Sequence, residues 1–248
     1  MHEGLAFATL TGLFPLARAW SANGTTTLRP ALAWAAAAML TWGVSALDTA
    51  TPRWPYVALC LSGCAGVAVL GARRPGGGAW NFVVGGLLVV FLMPVATGLG
   101  TPRLETAHLV FLGATLGVVL LNHLPTRLGL AVPFLAIPFG LEMARLGGLS
   151  VAAGLQCLGR ALLALAPWVA WAAVRRVGPL GETNRLWLGF RDRYGFLWAE
   201  RVREQFNRSA AHSGQTVYLS WSGLRPAGLR DDHSADTLRA LLRRFSRR

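Results

Sequence analysis

LQCLGRALLALAPWVAWAAVRR, residues 155–176, decides the fold. From Leu155 to Val174 the stretch holds a single charge, Arg160, and it closes on Trp168, Trp171 and the pair Arg175-Arg176. About 20 apolar residues, rising ~1.5 Å each in a helix, match the ~30 Å hydrocarbon core of a bilayer. Tryptophans followed by arginines are what a helix carries where it leaves lipid for water on the cytoplasmic side. The segment therefore predicts a membrane span with its exit at Val174.

Composition changes at that point. Of 24 arginines, nine lie before Val174 and 15 after it, where only seven acids oppose them. The chain has no lysine, a bias we assign to codon usage rather than to selection for the arginine fork. A hydrophobic fraction of 53% and a charged fraction of 14% exclude an ordinary soluble domain. Beside membrane spans, a basic tail predicts contact with anionic lipid headgroups or cytoplasmic proteins, and no nucleic-acid partner.

Working towards the amino terminus, five more stretches approach span length: 28–47, 54–72, 80–99, 107–121 and 128–141. The last is short and holds Pro133 and Pro138, each of which removes a backbone donor. Residues 4–20 carry Pro15 and lack the positive start of a signal peptide. They read as an interfacial or partly inserted helix, with a seventh span as the alternative. The expected architecture is an all-α integral membrane protein of six helices, or seven if 4–20 span. A small cytoplasmic α(+β) region completes it. The units are 1–27, a bundle over 28–174, and a basic tail over 175–248. Arginines favour one side: Arg18, Arg29, Arg73, Arg74 and Arg127 join the tail, against Arg53, Arg103 and Arg145 opposite. The positive-inside rule then puts both termini in the cytoplasm of a bacterial-type inner membrane, with the amino terminus outside if a seventh span exists.

Ionisable groups in spans are costly and draw functional hypotheses. Glu142, Arg160, Asn122 and His123 form the candidate intramembrane polar site; Arg160 reads first as snorkelling to the outer headgroups, and pairing with Glu142 across neighbouring helices is the sharper alternative. His108 and His123 stand about 22 Å apart along one helix and cannot share a metal or a haem. Cys60 and Cys64 read as small buried residues. With no nucleophile elbow, phosphate loop or zinc-protease motif, neither a catalytic residue, a metal nor a cofactor is assigned.

The tail alternates helix and strand signals. Apolar residues recur at helical spacing over 184–207, with Trp187, Phe190 and Trp198 as candidates for docking on lipid or a partner. Residues 216–221 alternate as one short strand with no recognisable mate, and a lone strand is unstable. A final basic amphipathic helix offers Arg239, Arg243, Arg244, Arg247 and Arg248 to anionic lipid. These features favour a non-enzymatic subunit or assembly partner of a membrane complex. The alternative is a small carrier or channel for a lipid-like or anionic solute.

Overall fold

A computed structural model describes residues 2–48, 53–73, 77–97, 104–176, 180–226 and 232–246. Helices dominate, and six are long and apolar enough to cross a membrane. They are α3 (Arg29–Leu47), α4 (Arg53–Leu70), α5 (Gly77–Thr97), α6 (Thr106–His123), α7 (Val132–Leu146) and α8 (Ala153–Arg175). The short fifth stretch lengthens because a 3-10 turn, Arg127–Ala131, runs into α7. Pro133 falls in the first turn of α7, where a missing N–H leaves no bond unmade, so only Pro138 interrupts the helix.

α4 is the centre of the bundle. Its sequence of Ala58, Cys60, Gly63, Cys64, Gly66 and Ala68 keeps side chains small, and neighbouring helices close in around it. A Cβ on Gly66 would sit 2.2 Å from Val119 of α6, so that crossing requires glycine. Cys60 and Cys64 are buried free thiols in this packing. The Tyr56 hydroxyl of α4 donates to the Phe91 carbonyl of α5, one turn before Pro94 loosens the α5 ladder.

The amino-terminal segment is two helices, α1 (His2–Thr11) and α2 (Leu13–Ala22), meeting at Gly12. It packs along α3 and α8. Ala6, Thr9, Gly12 and Pro15, three residues apart, are buried, while Phe7 and Phe14 face outward. This narrow stripe of small residues fits between α3 and α8, with Gly12 close to both Met39 and Pro167. Arg29, at the start of α3, lies over the Trp20 ring, and Leu10 reaches Gly43. The segment thus runs antiparallel to α3 for about 21 Å at ~1.5 Å per residue.

The tail folds on one end of the bundle. α9 (Glu182–His212) is two helices merged across a break at Gly195, where φ is 78°. The predicted strand has a mate: β1 (Tyr218–Ser220) pairs antiparallel with β2 (Gly223–Arg225) across a tight turn. The three-residue mate was too short to show as an alternating run. α10 (Asp232–Leu242) and a 3-10 turn, Arg243–Phe245, then pack on α9. Ser246 bridges to Thr26, so the segment beyond α10 returns to the loop before α3.

Candidate functional site

The end of the bundle away from the tail carries a small open cleft between α3, α4, α7 and α8. Trp42, Pro55, Pro138, Glu142, Gln156 and Arg160 line it. Gly159 brings α8 close to α7, since a Cβ there would meet Leu141 at 3.1 Å. Trp42 stacks on Phe139 with ring centroids 6.2 Å apart, which stiffens the apolar wall.

Glu142 and Arg160 share this cleft but do not pair. Arg145, one turn along α7, takes the Glu142 carboxylate instead, its Nε donating to Oε1 over 2.9 Å. A partner on the same helix is held in place by the backbone, and this one satisfies Glu142 without help from α8. Gln156 turns its amide to the Val151 carbonyl at 3.1 Å. Half-buried Arg160 has no carboxylate within ion-pair distance among the described residues. The cleft therefore holds a neutral Glu142–Arg145 pair and one uncompensated guanidinium.

Asn122 and His123 are elsewhere, at the tail end of α6, so the four candidate residues do not form one site. Asn122 is buried and clasps the break in α9. Its Nδ2 donates to the Tyr194 carbonyl at 3.3 Å, and its Oδ1 accepts from the Leu197 amide at 3.0 Å. A helix break frees backbone groups, and this amide satisfies one of each kind. The fit is close: a Cβ on Gly195 would lie 2.1 Å from Asn122 Nδ2. The Nδ1 of His123 is buried without a hydrogen-bond partner, as is Nε2 of His108 at the opposite end of α6.

The seam between tail and bundle has further polar pins. Buried Asp192 accepts from Arg191 Nη2 at 2.8 Å and from the Arg127 amide at 3.2 Å, with Arg127 Nε 3.6 Å away. Trp221 donates to the Pro125 carbonyl at 2.8 Å. The Tyr194 hydroxyl donates to the Phe245 carbonyl at 3.0 Å and lies 3.2 Å from the Thr27 hydroxyl. Burial pushes the Tyr194 phenol above its ordinary pKa, with the Thr27 hydrogen bond acting in the opposite sense. Asp192 was available as a signal, being the one acid between Glu182 and Glu200 in a largely apolar run. Nothing local announced that Asn122 would meet Gly195, 73 positions later.

The expected docking face is largely consumed within the chain. Trp187 and Phe190 are buried in the tail's own core, so they offer nothing to lipid or to a partner. Phe245 is the hub of that core, with its ring centroid 4.8 Å from Phe190 and 4.9 Å from Tyr194. Leu238 of α10 is buried there too, so the apolar stripe of the basic helix is not free to enter a bilayer. Arg239 is held by Glu182 and Asp236. Arg243 and Arg244 are exposed, and Arg247 and Arg248 lie outside the described residues. Trp198 is half-buried, its Nε1 donating to Leu70 and Val69 carbonyls at 3.0 and 3.2 Å.

No family model matches the chain, and neither curated proteins nor solved structures yield a match.

Proposed function

We propose that the chain is a multi-pass protein of the cytoplasmic membrane, without catalysis of its own, that binds an anionic solute or lipid-like headgroup around Arg160. The observation that supports this reading is the guanidinium left over in the cleft once Arg145 has taken Glu142. An apolar-walled opening with one convergent cation suits a ligand with a carboxylate or phosphate at one end and hydrocarbon at the other. The arginine distribution orients the molecule with its tail in the cytoplasm and the cleft on the outer side. Because α1 and α2 run along α3 rather than across its end, we read residues 2–22 as a seventh pass starting outside. The tail, pinned over the inner end, favours binding on one side over passage through the bundle.

A second reading, a subunit of a membrane complex, loses the unpaired strand and the free aromatic stripe. What favours it is α5, which packs chiefly on α4 and leaves Phe82 84% and Val89 67% exposed. Purification in mild detergent with or without stoichiometric companions separates the two.

The cleft is tested by titrating the purified protein with decyl phosphate and, as a neutral control, decyl maltoside. Loss of a charge-assisted contact is expected to weaken decyl phosphate binding by Arg160→Gln about tenfold or more, with the maltoside unchanged. Equal decyl phosphate affinity in both proteins would overturn the reading.

A further inference from the structure

The bundle's tail end carries a second cationic site, unrelated to the cleft. Trp198 is fixed at the last turn of α4 by its bonds to the Val69 and Leu70 carbonyls. Two guanidiniums lie against this one ring, Arg73 at 5.8 Å from its centroid and Arg201 at 5.2 Å. Arg73 follows α4 by three residues, and Arg201 follows Trp198 by three on α9, so both are tied to the level where α4 leaves its apolar surroundings.

Among the described residues neither cation is neutralised. The acids nearest Arg201 along α9 are committed elsewhere, Glu200 to Arg203 and Glu204 to Arg208. Among the described residues no carboxylate reaches Arg73 or Arg201 within ion-pair distance. Arg243 and Arg244, exposed beside Phe245, add positive charge nearby, since the Phe245 ring is 5.3 Å from Trp198. Apolar residues also emerge along this helix: Phe196 is 41% and Leu197 46% exposed. A tail that shows hydrocarbon next to unpaired arginines borders a bilayer, where tryptophan rings and arginine forks both meet headgroups.

We infer that Arg73 and Arg201, flanking Trp198, form a binding site for the phosphate of an anionic phospholipid in the inner leaflet. The guanidinium forks take the phosphodiester oxygens, the indole sits at glycerol depth, and the acyl chains run along the bundle. The lipid would fasten the tail to the membrane at α4, a task that α10 cannot perform with its apolar stripe buried.

The test is native mass spectrometry of the full-length protein in neutral detergent, titrated with phosphatidylglycerol and phosphatidylcholine. Wild type is expected to prefer phosphatidylglycerol. The double variant Arg73→Gln/Arg201→Gln is expected to lose that preference about tenfold or more. Arg208→Gln/Arg225→Gln, which removes equal charge away from α4, is expected to keep it. Retained preference in the double variant overturns the site, as does equal loss in the Arg208/Arg225 control. Displacement of the lipid by inorganic phosphate at matched concentration would replace a headgroup with a soluble anion and overturns it as well. Should the double variant fail to fold, Arg201→Glu, a change at an exposed position, decides the question by the same measurement.

Discussion

At the residue scale, the contact that organises the tail is one amide on one glycine. Gly195 holds a φ of 78°, where a side chain is strained, and it faces Asn122 so closely that no Cβ fits. Gly195→Ala should therefore lower the detergent-phase Tm and expose α9 to limited proteolysis. Asn122→Asp is no conservative change. It keeps an acceptor for the Leu197 amide but puts a carboxylate against the Tyr194 carbonyl, and a loss of about 1–3 kcal/mol is expected. Unchanged protease sensitivity in both variants would show that the clasp does not hold the tail. Tyr194 gives a pH dependence of definite sign. Its phenol binds its proton more tightly folded than unfolded, so its contribution is complete below the unfolded pKa of about 10 and fades as pH rises beyond it. Tyr194→Phe should be less stable than wild type near neutrality, and the gap in Tm should close at strongly alkaline pH. A gap that stays constant across this range would contradict the assigned hydrogen bond to Phe245.

At the element scale, α9, the hairpin and α10 behave as one unit because they share one aromatic core. Phe245 touches Phe190, Tyr194 and Trp198, and its carbonyl accepts from both Thr27 and Tyr194. Truncation of such a residue to alanine typically costs about 3–5 kcal/mol, so Phe245→Ala should free α10 and the hairpin together. Hydrogen exchange would show it as simultaneous loss of protection in both; loss in α10 alone would mean that the hairpin stands by itself. The periodicity of residues 184–207 was legible in the sequence, as was the apolar stripe of the last helix. What covers those stripes was not. An amphipathic pattern states that a face must be buried, and bilayer, partner and neighbouring helix all satisfy it equally. The mate of β1 escaped for a related reason: three residues, Gly223–Arg225, make too short a run to display a period.

At the scale of the molecule, the six long apolar helices were plain because lipid demands about 20 apolar residues whatever their neighbours. Whether Glu142 would pair with Arg160 was open in the sequence, because spacing does not rank a partner across helices against one a turn away; the structure gives Glu142 to Arg145. Residues 2–22 were left between an inserted helix and a span, because Pro15 breaks the length criterion; the sequence did not show that their stripe of small residues packs between α3 and α8. Their path has a direct test. In a Cys157→Ala background, where Cys60 and Cys64 are buried, an impermeant maleimide on intact cells should label Gly4→Cys and Leu149→Cys but not Ser222→Cys. Protection of Gly4→Cys alongside Ser222→Cys would return the amino terminus to the cytoplasm. The closure of Ser246 on Thr26 bears, finally, on quality control during synthesis. The receptor for the tail is assembled from Thr27, Ala72 and Pro125, in three separate inter-helix turns, and from Asn122 at the end of α6, and all are made before α9 leaves the ribosome. A chain with one of these helices inserted the wrong way round has no receptor for its tail. Such a tail would lack the Asn122 clasp at Gly195 and the Pro125 acceptor for Trp221, leaving the break in α9 open to chaperones and proteases while correctly threaded copies close it.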